Sequence, residues 1–260
     1  MPSTGGIPWR FRSDAQLSSL HFVRRSEVLL LIMSTSVAVY LEEGKKRTFA
    51  GALDWPGWCR QGRSETEALA ALFDYGPQYA AILYGTRLGF LAPKAVTQLA
   101  VVERLPGTAT TDFGAPGVAP SVDRERSCDA AALRRLEKIL KAGWRALDQA
   151  VEAARGKTLA TGPRGGGRSL EAIVRHVVDA DAGYLSAVGW KAPKPTEPGD
   201  RLTETREAIL SALKASATGE IPPKGPRGGI RWTARYFVRR VAWHVIAHVW
   251  EIERRVSGTG

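Results

Sequence analysis

Residues 239–251 read RRVAWHVIAHVWE, a pattern of paired histidines among apolar residues. His244 and His248 stand four apart, so on a helix both imidazoles share one face about one turn from each other. Trp243, Val245, Ile246, Ala247, Val249 and Trp250 flank them, which predicts a helix over about Thr233 to Val256 that is buried over much of its surface. Working backwards, Ala132, Leu133, Leu136, Ile139, Leu140, Trp144, Leu147 and Val151 form one stripe of a helix from about Cys128 to Ala154. A second runs from about Ser169 to Val188, and a third over about Leu202 to Ser216. The connections, residues 156–168, 190–200 and 218–231, are rich in glycine and proline. Four helices joined this way predict an up-down-up-down bundle or a related four-helix arrangement.

Three of the four histidines fall in this half: His176 on the second helix, His244 and His248 on the last. The i, i+4 pair can share one metal without distorting the backbone, and His176 can supply a third nitrogen from a facing helix. A divalent transition metal, zinc or nickel, fits such donors, and three protein ligands leave a coordination position open. A pair of histidines satisfied by each other in a core is the competing reading. Glu251, three residues after His248, and Arg240, four before His244, lie within reach of the same face. Glu251 can orient an imidazole N–H, accept a proton as the catalytic residue, or ligate weakly. Asp179 reads as a surface charge, and Arg239 and Arg240 are not both expected to face inward.

The first half reads differently. Val37–Leu41 and Thr48–Leu53 are β-prone stretches around the polar turn 42–46. Trp55-Pro56-Gly57-Trp58 is a turn with two aromatic anchors. Ser64 and Glu67 form a capping box that opens a helix through Ala68, Leu69, Ala71, Leu72, Tyr75 and Tyr79. Residues 98–104 read as another strand. The predicted fold is thus α+β, a small α/β domain (β-hairpin, helix, strand) followed by an all-α four-helix bundle. Its expected divisions are an extension at 1–32, the small domain at 33–107, a linker at 108–127 and the bundle at 128–257.

The chain has 260 residues and a formal net charge of +11, and residues 121–260 carry +9 of it. That excess suits an anionic small molecule; it also permits nucleic acid, although no aromatic-plus-basic recognition motif is present. Two cysteines with no Cys-x-x-Cys pair exclude a disulfide scaffold and cysteine-rich zinc folds, and suit a reducing cytoplasm. No membrane partner is expected, because no window holds the ~20 apolar residues of a span. Val28–Met33 after Arg24-Arg25 is too short for an export signal, and Met33 is an alternative start. A homodimer is compatible with the composition.

Gly162-Pro163-Arg164-Gly165-Gly166 precedes the second helix, and Gly225-Pro226-Arg227-Gly228-Gly229 precedes the last. If both loops lie at one end of the bundle, Arg164 and Arg227 together with Arg240 can collect an anionic substrate or cofactor beside the metal. The 162–169 run is not a nucleotide-binding loop: Arg168 replaces the lysine, Pro163 removes a donor, and no strand precedes it.

Two resemblances add to these readings. Leu170–Tyr184 and Arg239–Glu251 resemble the DinB-like metal-binding four-helix bundle superfamily. That likeness implies a divalent metal on His176, His244 and His248, and a protein related to thiol-dependent S-transferases and isomerases acting with a low-molecular-weight thiol; a hydrolase built on the open three-histidine site is a further expectation. Val37–Leu72, with Pro56-Gly57, Gly62 and Glu65–Leu69, resembles HicB-like antitoxins, which implies the rival reading of a regulatory module contacting RNA or protein.

Overall fold

The computed structural model describes residues 36–161, 167–194 and 201–257. Its first elements are β1 (Val37–Glu43), β2 (Thr48–Ala52), β3 (Cys59–Gly62) and β4 (Leu99–Pro106). They form one sheet of order β3-β2-β1-β4, with β1–β2 and β2–β3 antiparallel and β1–β4 parallel. The hairpin follows from the polar turn at 44–47. The parallel β1–β4 pairing needs a crossover. α1 (Glu65–Asp74) and α2 (Gly76–Leu83) lie in it.

Two local differences from the sequence expectation have clear causes. Cys59–Gly62 is a third strand of the sheet; at four residues without apolar alternation it carries no strand pattern of its own. The helix expected to continue to Tyr79 stops at Tyr75, and a second begins at Gly76 with proline in its first turn. Pro77 lacks the N–H that would bond the preceding turn, and its ring clashes with the carbonyl four residues back. Ser64 caps α1 as expected, accepting from the Glu67 N–H, while the Glu67 carboxylate accepts from the N–H of Arg63 rather than of Ser64.

Residues 108–127 are ordered against the sheet, with two short helices, α3 (Ala109–Phe113) and α4 (Ser121–Glu125). The pin is Glu42, fully buried at the end of β1. Its carboxylate accepts from Thr111 Oγ1 and from the N–H groups of Gly117 and Val118. These donors replace the water that a buried carboxylate loses. A second pin is Asp123 of α4, ion-paired with Arg239, whose guanidinium also donates to the carbonyls of Ala52 and Leu53.

The bundle comprises α5 (Ala130–Ala154), α6 (Leu170–Val188), α7 (Arg201–Ala217) and α8 (Ala234–Ser257). Asp129 and Ser169 cap α5 and α6 by accepting from the N–H three residues on. Gly189 ends α6 in the left-handed conformation. α8 packs on α5, α6 and α7, and touches the sheet half on its remaining side. Trp243 meets Phe49 of β2 edge-on, with ring centroids 6.2 Å apart, and a Cβ on Gly57 would lie 2.6 Å from Ile246. With the bundle on one side of this stretch and the sheet half on the other, α8 buries both Arg239 and Arg240, against the expectation that the two could not both face inward. They occupy opposite environments: Arg239 faces the sheet, while Arg240 lies among Tyr184, Trp232 and Trp243.

Buried residues of the sheet and of the bundle belong to one continuous hydrophobic cluster, from Val39 and Leu41 through Trp58 and Leu140 to Val241 and Ile252. The two halves differ in secondary structure but share a core. Trp58 is wholly buried and donates its N–H to the Leu72 carbonyl, while Tyr79 donates to the Pro56 carbonyl. Asp181 of α6 is buried inside the bundle with its Oδ1 unpaired, and burial lifts its carboxyl to about 8 against the opposing pull of Arg206.

Candidate metal centre

α6 and α8 bring the three histidines to one point. The Nε2 atom of His244 lies 3.2 Å from that of His176 and 3.2 Å from that of His248, and one ligand atom from each ring falls within 4.8 Å of the others. The spacing on α8 stacks His244 and His248 on one face. α6 packs against that face and delivers His176. With metal–nitrogen bonds of ~2.05 Å, a nitrogen separation of 3.2 Å subtends about 100° at a shared cation, close to the tetrahedral value. Two of the three separations thus suit a shared divalent cation, and the three histidines together could hold a metal ion.

Proton placement agrees with that fit. Glu251 Oε2 lies 2.7 Å from His248 Nδ1, so the proton of that ring sits on Nδ1 and Nε2 presents its lone pair to the centre. Arg255 holds the other carboxylate oxygen at 3.2 Å and is itself anchored by the carbonyl of Ala160. Both oxygens of Glu251 are thus engaged by protein donors, which favours the orienting role among the three left open by the sequence. The hydrogen bond from His248 is the main reason that the Glu251 carboxyl is held below its ordinary range.

His244 and His248 are buried, and His176 is half-buried. Burial first, then the neighbouring His248, His176 and Arg240, pushes His244 down to about 2, so its ring is neutral at any ordinary pH. His176 is lowered in the same direction by burial, then by Arg168 and His248. Neutral imidazoles are the form that binds a metal. Tyr184 and Trp243 lie against the His244 ring, with centroids 5.8 and 5.9 Å away. A cavity of about 480 Å³, lined in part by these same two rings, opens onto the three histidines.

The remaining residues singled out in the sequence fall in different places. Arg240 neighbours His244, with Nη2 3.4 Å from the Tyr184 hydroxyl, but it is caged by aromatic rings and does not line the cavity. Arg227 is exposed in the turn before α8 and does not reach the cavity, whereas Arg168 does. Arg164 lies outside the described residues. Asp179 pairs with Arg201 on the surface. The sequence reading missed the wall contributed by the sheet half, Arg60, Gln61, Tyr75 and Phe113. No local pattern marks these residues, because only the docking of the sheet on α8 brings them there.

Among the described residues no helix is long and apolar enough to cross a membrane. No protein-family model, no curated protein and no solved structure matches the chain.

Proposed function

We propose that the chain is a metal-dependent protein whose open three-histidine centre acts on a small anionic or thiol-bearing molecule, as an S-transferase, isomerase or hydrolase. The observation that carries this reading is the convergence of three Nε2 atoms from two helices, with the tautomer of His248 fixed by Glu251. The resemblance of Leu170–Tyr184 and Arg239–Glu251 to the DinB-like superfamily supports the reaction class, and imidazole donors suit zinc or nickel. A divalent cation there would supply Lewis-acid chemistry, lowering the pKa of a water or thiol in its open position.

The chain's own contributions are positional. Glu251 and Arg255 hold His248 in one orientation. Burial and the charge of Arg240 keep His244 unprotonated. Tyr184 and Trp243 pack against His244 and form part of the wall of the cavity by which a substrate would arrive. Free thiols at Cys59 and Cys128 accord with work in the cytoplasm.

Elemental analysis of the purified protein after incubation with zinc or nickel tests the reading. One equivalent of metal per chain is expected in the wild type and none in His244→Ala. A thiol-transfer panel on the loaded protein then tests the reaction class. A wild-type chain that takes up neither metal would end the proposal.

A further inference from the structure

The cavity over the histidines is walled by both halves of the chain, and its charge is one-sided. Arg60 of β3, Arg168 just before α6 and Arg254 of α8 all line it. The only carboxylate that lines it among the described residues is Glu251, already paired with His248 and Arg255. No hydrogen bond or ion pair joins any of the three guanidinium groups to a described residue.

Arg60 is the most constrained of the three. Its guanidinium carbon lies 3.8 Å from the centre of the Tyr75 ring and 5.2 Å from that of Trp250, and both rings also line the cavity. Stacking fixes the plane of the group and leaves its edge to make hydrogen bonds. Its Nε is buried and has no partner. A buried donor left unpaired costs about 1–3 kcal/mol, which an anion accepting from it in the cavity would recover. Burial lowers the basicity of this arginine, and the nearby charge of Arg254 acts in the same direction. Three like charges beside a site for a divalent cation repel one another, and an anion in the cavity relieves that repulsion. At the rim stands Phe113, 89% exposed, next to the left-handed Gly114. It offers an apolar contact to whatever body the anion carries. The cavity, at about 480 Å³, suits a small organic molecule.

We propose that the sheet half of this chain serves the metal centre as an anion clamp. In this arrangement Arg60, assisted by Arg254 and Arg168, grips the carboxylate or phosphate group of a small substrate whose reacting end faces the three histidines. The proposal rests on the metal-centre reading for what lies at the far end of the substrate. The clamp itself depends only on the guanidinium groups and can be tested separately. Arg60 is then the specificity-determining residue, and its place on β3 gives the sheet a part in substrate choice.

The test is calorimetric titration of the full chain, metal-loaded and metal-stripped, with succinate and, separately, with inorganic phosphate. Wild type, Arg60→Met, Arg60→Lys and Arg254→Met are compared, each checked for folding by circular dichroism and for metal by elemental analysis. Arg60→Met should weaken anion binding by about tenfold or more, because it removes charge-assisted hydrogen bonds. Arg60→Lys should recover part of the loss, since lysine keeps the charge but lacks the planar fork. Arg254→Met, altered at an exposed position, should show a smaller loss. Tighter binding of succinate assigns a carboxylate substrate, and tighter binding of phosphate assigns a phosphate ester. Folded Arg60→Met and Arg254→Met proteins that bind both anions as the wild type does would overturn the clamp. If Arg60→Met does not fold, unchanged binding by Arg254→Met overturns it alone. A chain that takes up no metal but binds anions through Arg60 would refute the metal centre and leave the clamp standing.

Discussion

Replacing Glu251 tests whether the centre is built for a cation. In the wild type its carboxylate takes the Nδ1 proton of His248 at 2.7 Å and is steadied by Arg255 at 3.2 Å. Glu251→Gln keeps the length of the side chain and an oxygen that can accept from Nδ1, so the tautomer survives while the negative charge is lost. Glu251→Ala removes both, leaving His248 free to rotate or to place its proton on Nε2. Carboxylates that orient metal-bound imidazoles are worth about 10–100-fold in affinity, or ~1.4–2.7 kcal/mol. The glutamine variant should sit near the lower figure and the alanine variant near the upper. Arg255 keeps its bond to the Ala160 carbonyl in either variant, so the end of α8 should remain in place. Competition with a chelator of known affinity, monitored at equilibrium, measures both losses. Wild-type affinity in both variants would refute the reasoning, because it would mean that the orientation of His248 does not matter to the cation.

Two further outcomes concern stability. Asp123→Ala strands the buried Arg239 guanidinium with only the Ala52 and Leu53 carbonyls, and should cost about 3–5 kcal/mol, a fall in Tm of several degrees by calorimetry. In the metal-free protein, His244 and Asp181 should impose opposite pH dependences, separable by urea unfolding. His244 falls to about 2 on folding, so the unfolded chain binds the extra proton and its contribution rises with pH up to about 6.5. Asp181 rises to about 8, so the folded chain binds the extra proton and its contribution falls between about 4 and 8. Relative to wild type, Asp181→Asn should gain stability and His244→Ala should lose it as pH increases across these windows, by up to about 1.4 kcal/mol per pH unit. Parallel profiles for all three proteins would show that neither group titrates in this way.

The bundle was legible because its evidence is local. An apolar stripe at helical spacing over Ala132–Val151 and a cap at Ser169 locate helices to within a few residues of those observed. The shared face of His244 and His248 was legible for the same reason, since i, i+4 spacing fixes it; His176 is a third nitrogen that a facing helix can supply, and the resemblance to the DinB-like superfamily is what implies the full set. What escaped depends on packing between distant segments. Cys59–Gly62 becomes a strand only because β2 pairs with it. Arg239 is buried only because the sheet covers the side of α8 that a free-standing bundle would leave wet. Arg60, Tyr75 and Phe113 are ordinary residues in their own neighbourhoods, and nothing short of the assembled chain points them at the histidines.

The enclosure of α8 has a consequence for anyone dissecting this molecule. The helix that carries two of the imidazoles presents Val238, Ala242 and Trp243 along with its arginines, and these are almost wholly covered. A fragment cut within the glycine- and proline-rich stretch near residue 120 would bare oily flanks together with an Arg239 guanidinium that keeps Asp123 but loses the Ala52 and Leu53 carbonyls. Such a fragment would tend to self-associate, and any failure to load zinc or nickel would then reflect a damaged scaffold instead of a missing ligand.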